Sequence, residues 1–326
     1  MTTVTERDKI IEILKEEPSF YLISHMQPDG DSIGSLLATG ESLRSCGKQV
    51  SMFAPDQVPQ KYLFLQGADR VLQDVLIDNP EITVVVLDSS DLERLSYFKE
   101  AVTKCKQVIN IDHHVTNQKF GTYNLIESEA AATGEIIYGL LKELNAPLTK
   151  DVVESLYVAI STDTGSFKYE NTTPDTHRVV ASLLEYGINA SSLSQKIFDQ
   201  RSMPFYMMLK EALAGLEIYE SGKIALATLS KDIRERCGAS PGELEGIVNY
   251  TRDIEGVELG ILFYVENSRE VKIGFRSKIV DVSELAGRFN GGGHARAAGC
   301  RLYEDYKTVK QKVLEQAIDI LEELPV

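Results

Sequence analysis

The sequence predicts an α/β protein: an N-terminal doubly wound, mostly parallel sheet, joined by a helical linker to a smaller α/β domain with a mixed sheet. Three observations carry that expectation. The first half alternates short apolar runs with amphipathic helical stretches, the pattern of a parallel sheet flanked by helices. The character of the chain changes after Gly187, and strand-like runs return from Lys223 onward. A chain of 326 residues is long enough for two domains, each with its own core. The expected boundaries are 1–190 for the first domain, 191–222 for the linker and 223–326 for the second domain.

In chain order, the charged N-terminus MTTVTERDKIIEILKEEPS has the apolar spacing of an amphipathic helix and lacks the features of a signal sequence. Strands are expected at 20–24, 49–53, 82–87 and 107–111, where apolar and β-branched residues run together. Helices are expected at 35–46, 130–144, 150–162 and 176–186 from the spacing of their apolar residues. The segment NASSLSQKIFDQRSMPFYMMLKEAL reads as a helical connector with one proline break. Strands at 224–229, 257–266 and 270–276 then build the second sheet, and an amphipathic helix at 306–324 packs on it. In open sheets of the first kind, ligands gather beyond the carboxyl ends of the strands.

Composition excludes several classes. With 43% hydrophobic and 25% charged residues the chain is globular rather than disordered or fibrous. No apolar run approaches the ~20 residues of a membrane helix, so a cytoplasmic protein with no membrane partner is expected. The four cysteines are scattered without a CxxC pair, which suggests neither a zinc knuckle nor a disulfide framework. A net charge of -15 argues against tight binding of long nucleic acid, which draws its affinity from cationic contacts. Small anionic substrates remain open wherever positive charge is local.

The residues that carry chemistry follow the apolar runs. SHMQPDGDSIGS places His25, Asp29 and Asp31 in what reads as a tight loop shaped by Pro28 and Gly30, although DGD alone is equally an ordinary helix-capping turn. Asp88 ends the run ITVVVLDSSD, where a lone aspartate also commonly caps a helix. VINIDHHVTN sets Asp112, His113 and His114 after another strand, and four of the five histidines in the chain lie in the motifs singled out here. A carboxylate such as Asp112 can orient a neighbouring imidazole by accepting its second N–H. Asp163 in STDTGSF adds a further carboxylate, or simply ends a helix. Two imidazoles and four carboxylates without a thiolate suit manganese, cobalt or magnesium better than structural zinc. One shared carboxylate would hold two such ions roughly 3.5–4 Å apart, and a water between them becomes hydroxide near neutral pH, which favours reaction at phosphorus.

The second domain offers GFRSK and then RFNGGGHARAAGCR. Between Val271 and Arg301 stand six Lys or Arg against two Asp or Glu, a local excess of positive charge. The triple glycine Gly291, Gly292, Gly293 beside His294 would let backbone N–H groups approach an anion, though glycine-rich turns are usually just turns.

Together these motifs resemble the DHH phosphoesterases that carry a C-terminal DHHA1 domain, in the family's order and over nearly the whole chain. The resemblance implies that His25, Asp29 and Asp88 hold one metal and that Asp31, Asp88, His113 and Asp163 hold the other, with Asp88 as the bridge. It implies a catalytic His114 at the scissile phosphate, and Arg276, Ser277 and the GGGH loop ending in His294 as the substrate holders, with the reaction in a cleft between the domains. Ser32 departs from the pattern, since many relatives carry Ala there. The cofactor implied is two Mn2+, with Mg2+ or Co2+ as alternatives.

The branch most similar is the nanoRNase and pAp-phosphatase group. The expected activity is therefore hydrolysis of short oligoribonucleotides to mononucleotides, in a polarity the sequence does not define, and dephosphorylation of 3'-phosphoadenosine 5'-phosphate (pAp). A soluble cyclic di-AMP or pApA phosphodiesterase is the alternative, and RecJ-type exonucleases and non-catalytic nucleotide sensors stand further off. A homodimer is compatible with the sequence. No GxGxxG follows the first strand, which disfavours a dinucleotide-dependent oxidoreductase.

Overall fold

The computed structural model describes residues 5–74, 81–244 and 246–323, apart from the side chain of His294. The chain divides into two compact units, Met1–Gln200 and Arg201–Val326.

The first unit runs α1 (Glu6–Glu16), β1 (Ser19–Ile23), α2 (Gly30–Ser45), β2 (Gln49–Phe53), β3 (Val71–Leu72), β4 (Thr83–Leu87), α3 (Lys99–Val102), β5 (Gln107–Asp112) and β6 (Tyr123–Ile126). It continues through α4 (Thr133–Glu143), α5 (Lys150–Asp163), α6 (Pro174–Leu184) and α7 (Ala190–Ser194). Its six strands are all parallel, in the order β3-β2-β1-β4-β5-β6. That is a doubly wound sheet in which the winding direction reverses between β1 and β4, opening a crevice at their carboxyl ends. Both faces are covered, so β4 is buried along its whole length and reads as the continuous run TVVVL. One face packs under α1, α2, α4 and α5 through Leu22, Leu36, Val85, Ile109 and Leu156, and the other around Ile23, Val84, Val86 and Phe98.

The second unit runs α8 (Met203–Ala214), β7 (Glu217–Tyr219), β8 (Ile224–Ser230), α9 (Lys231–Arg236), α10 (Ile247–Arg252), β9 (Leu259–Asn267), β10 (Glu270–Ser277), α11 (Val282–Gly287), β11 (Gly292–His294), β12 (Ala297–Leu302) and α12 (Tyr306–Glu322). Its mixed sheet has the order β11-β12-β10-β9-β8-β7, with β8 and β9 parallel and the other pairs antiparallel. The β10 residues alternate strictly, Val271, Ile273 and Phe275 facing the core beneath α11 and α12. Pro204, the expected proline break, stands in the first turn of α8, where a missing N–H costs nothing, and Ser202 caps that helix. Among the described residues no helix is long and apolar enough to cross a membrane.

Two local expectations change. The sequence suggests that Asp29 and Asp31 lie in a loop ahead of a helix starting near Ser35, but α2 begins at Gly30. Asp29 is its N-cap, accepting from the Ser32 N–H at 3.0 Å, and Asp31 sits in its first turn. Gly30 and Gly34 look like helix breakers, yet tertiary packing keeps them helical. A Cβ on Gly30 would stand 2.3 Å from Thr162 Oγ1, and one on Gly34 2.5 Å from the Ser155 carbonyl oxygen. The triple glycine is likewise no turn: Gly292–His294 form an edge strand paired antiparallel with β12.

Candidate metal centre

The crevice at the β1/β4 switch point collects side chains from five segments. β1 leads into His25 and the N-terminus of α2. β4 ends at Asp88, β5 leads into His113 and His114, and α5 ends at Asp163. Because Gly30 and Gly34 let α2 lie directly on Ser155, Ala159 and Thr162 of α5, the start of α2 meets the end of α5. That close packing brings Asp29 and Asp31 to Asp163. His25, Asp29 and Asp88 form one group able to hold a cation. Asp31, His113 and Asp163 form a second, and Asp88, His113 and His114 a third, with candidate donor atoms within 4.8 Å of one another in each.

Asp88 belongs to both sides of the cluster. Its Oδ2 lies 3.4 Å from His25 Nε2, and its Oδ1 lies 3.9 Å from His113 Nε2 and 2.9 Å from the Thr133 hydroxyl that donates to it. The residue has φ +60°, a left-handed conformation that a non-glycine residue holds at a cost of roughly 1–3 kcal/mol. Its N–H remains tied to the Ile111 carbonyl at 3.0 Å, so the sheet continues up to the point where the carboxylate turns into the crevice.

The imidazoles are oriented by acceptors. His25 Nδ1 lies 2.7 Å from the Met26 carbonyl oxygen, which can only accept, so the proton sits on Nδ1. Nε2 is then a buried lone pair without a hydrogen-bond partner, aimed at a carboxylate oxygen. Two acceptors facing each other in a dry site repel unless a cation lies between them, so the donor set fits a metal. His113 is arranged alike: Nδ1 donates to the Ala130 carbonyl at 3.2 Å, and Nε2 faces Asp163 at 3.3 Å and Asp31 at 3.9 Å. Asp112 stands behind them, fully buried, accepting from His114 Nδ1 at 2.6 Å, from the His113 N–H at 2.9 Å and from Asn117 Nδ2 at 2.6 Å. His114 is thereby fixed with its Nε2 edge turned away from Asp112.

Electrostatics point the same way. Burial, together with the charges of Asp31 and Asp29, pushes Asp88 well above the usual carboxylate range. Burial and the Asp31 charge do the same to Asp163, and Asp31 is raised by burial and by Asp29. Burial would lower His113, but Asp31, Asp163, Asp88 and Asp112 outweigh it and hold its imidazolium up to a pKa of about 9. Burial pushes His25 below its ordinary value. A cluster this short of positive charge is suited to divalent cations.

Three supporting residues carried no sequence signal of their own. The Thr133 and Gly134 N–H groups, at the start of α4, donate to Asp31 at 2.6 and 2.9 Å, a carboxylate held at a helix N-terminus. Asn117 ties Asp112 to the Ser89 carbonyl and to Asn110.

The expected substrate holders lie in the second unit. Arg276 and Ser277 are successive residues of β10, so their side chains leave opposite faces of the sheet. Ser277 is buried, its Oγ without a hydrogen-bond partner, and Arg276 Nη1 donates to the Phe275 carbonyl at 2.9 Å. Gly291 and Gly293 are required by packing, since a Cβ on either would press within 2.5 Å of β12. A Cβ on Gly292 would meet nothing within 4 Å, so the fold itself does not demand glycine there. The His294 backbone closes β11, and its side chain lies outside the described part of the structure.

Comparison with known proteins shows which family the two units resemble. Residues 19–160 match the DHH family, N-terminal domain, and residues 221–324 match the DHHA1 domain. A Thermus thermophilus protein named bifunctional oligoribonuclease and PAP phosphatase NrnA is 31% identical over 310 residues, covering 94% of this chain and 91% of its own. The crystal structure of an exopolyphosphatase-related protein from Bacteroides fragilis superposes with a TM-score of 0.90 at 26% identity, covering 98% of this chain and 97% of that one. RecJ from Thermus thermophilus, solved in complex with Mn2+, shares the fold at 12% identity with a TM-score of 0.56, over 99% of this chain and 55% of that one.

Proposed function

The chain belongs to the DHH family of phosphoester hydrolases and carries a DHHA1 domain, and from that premise we propose that it hydrolyses short oligoribonucleotides to mononucleotides and removes a phosphate from pAp, using two divalent ions. The observation that carries the two-ion reading is Asp88, whose two carboxylate oxygens face different donor groups, His25 on one side and His113 on the other. His25 and Asp29 would complete one ion's ligands, and Asp31, His113 and Asp163 the other's. The oxygen and imidazole donors favour Mn2+, with Mg2+ or Co2+ able to replace it. Bound there, the ions would supply an activated hydroxide and polarise the phosphate.

The chain's own residues do the rest. Asp112 accepts from His114 Nδ1 and fixes the ring, so that its Nε2 edge would be presented to the scissile phosphate or to its leaving oxygen. Thr133 and the amides of α4 keep Asp88 and Asp31 from swinging out of the crevice. In the second unit, Arg276 and the open face of Gly292 are suited to an anionic end of the substrate, and Gly291, Gly293 and His294 would frame it, with Ser277 buried behind them on the opposite face of β10. The net charge of -15 favours short substrates over long strands.

The reading is tested by incubating the protein, with and without manganese, with pAp, pApA, di- to pentanucleotide RNA, cyclic di-AMP and pyrophosphate. Manganese-dependent turnover of pAp and of the short RNAs is expected. Failure to turn over any linear nucleotide sinks the proposal, and turnover confined to cyclic di-AMP and pApA replaces its substrate.

A further inference from the structure

Among the described residues Arg94 is the one lysine or arginine at hydrogen-bond distance from a side chain of the first donor group. It lies between β4 and α3 and is half-buried. Its backbone is fixed on both sides: the carbonyl accepts from the Met26 N–H at 2.7 Å, and the N–H donates to Asp91 Oδ1 at 3.1 Å. The backbone ties therefore hold the guanidinium beside the His25 segment. Among the described residues Arg94 forms no ion pair, and the single side-chain partner at hydrogen-bond distance is His25 Nδ1, 3.0 Å from Nη2.

That contact does not satisfy the guanidinium. Nδ1 lies closer, at 2.7 Å, to the Met26 carbonyl oxygen, which has no hydrogen to give, so Nδ1 carries the proton and has no lone pair for Arg94. A donor thus meets a donor. An arginine has five N–H donors in a planar fork and stays charged, and its usual reasons to be half-buried are a carboxylate or a phosphate. Among the described residues no carboxylate lies within ion-pair distance of it, and Asp29, whose carboxyl the Arg94 charge helps hold down, turns with Asp31 and Asp88 to the cluster.

We propose that Arg94 is a phosphate-binding residue of this centre: its guanidinium takes a non-bridging oxygen of the substrate's phosphoryl group on the His25 side, orienting it and offsetting the charge that develops there. The role rests on the phosphoesterase reading, and it supplies a cation from the first unit itself, where the motifs offer only acids and imidazoles. Reading the sequence for glycine-rich and histidine motifs passes Arg94 over, because it sits in LDSSDLERLS as an ordinary charged helix-turn residue.

The test compares wild type, Arg94→Ala and Arg94→Lys, each loaded with manganese. Three quantities are read: manganese bound per chain by equilibrium dialysis, the Kd of orthophosphate by calorimetry, and kcat/KM on bis(p-nitrophenyl) phosphate. Arg94→Ala is expected to keep its manganese, to weaken orthophosphate at least tenfold, as for a lost hydrogen bond between charged groups, and to lower kcat/KM about 100-fold, as for a lost transition-state donor. Millimolar guanidinium chloride should restore part of that turnover, a rescue that a purely structural role would not show. Arg94→Lys should fall between the two. Unchanged orthophosphate affinity in Arg94→Ala overturns the proposal, and so does loss of bound manganese, which would make Arg94 a prop for His25. If wild type cleaves no phosphodiester yet its orthophosphate affinity still depends on Arg94, the phosphate site stands and the phosphoesterase reading falls.

Discussion

Asp88 is held in a costly state: buried, left-handed in its backbone, its carboxyl well above the usual range because of burial and the charges of Asp31 and Asp29. Replacing it with asparagine removes the charge and keeps the shape. Asp88→Asn should lower turnover at least 1000-fold, on the order of the largest losses from single electrostatic groups in active sites, and should raise the melting temperature measured in chelator, because the repulsion has gone. A variant with near-native rates would remove Asp88 from the bridging role. At this scale the acids and imidazoles of the cluster were legible, since each ends or follows an apolar run at the sheet edge where ligands gather. Arg94, Thr133 and Asn117 were not. Their partners His25, Asp88 and Asp112 lie 69, 45 and 5 positions away, and arginine, threonine and asparagine in those settings read as caps and solvated faces.

The helix pair α2 and α5 sets the distance between Asp31 and Asp163. Gly34→Val places a side chain against the Ser155 carbonyl and Ala159, where even a Cβ would approach to 2.5 and 2.9 Å. Overpacking of that kind costs about 1–3 kcal/mol. Gly34→Val should lower the melting temperature by several degrees and weaken manganese about tenfold, both read on one sample by thermal scans with and without metal. An unchanged metal affinity would separate the helix contact from the site. In the second unit, Gly292→Ala should leave the melting temperature unchanged while raising KM for pAp, whereas Gly293→Ala should destabilise, since it holds φ +143° against Ala297 and Ala298. An equal loss of stability in both variants would mean that Gly292 serves the fold. Apart from β12 and the start of α2, the longer strands and helices of both units were legible to within three residues, because their apolar patterns are long. The start of α2 was misplaced to Ser35 because two glycines that serve helix packing read as breakers. β3, β6, β7 and β11 escaped notice, being two to four residues long and defined by what they pair with, and so did β12, whose AAGCRL run lacks a strong apolar pattern.

Over the whole molecule, the acidic cluster makes stability depend jointly on pH and metal. His113 has a folded pKa of about 9, above its ordinary value of about 6.5. The stability it contributes is fully present below about 6.5 and is lost as pH rises through about 9. Asp31, Asp88 and Asp163, also raised, act in the same direction from their ordinary range upward. In chelator, therefore, the melting temperature should fall as pH rises from 6.5 to 9, and the shift produced by manganese should grow over the same interval, because fewer protons must be displaced. A manganese-induced shift independent of pH would mean that the ions bind elsewhere. The α/β architecture was legible because apolar periodicity is a property of long stretches, while the chemistry depends on side chains that meet only after the sheet has formed.

The central claim, a reaction run by two ions that share Asp88, is tested most directly by titrating manganese into the metal-free protein while following bound metal and turnover of pAp together. The account predicts two ions bound per chain, with turnover appearing as the second fills. Full turnover at one ion per chain, or with none, would contradict it.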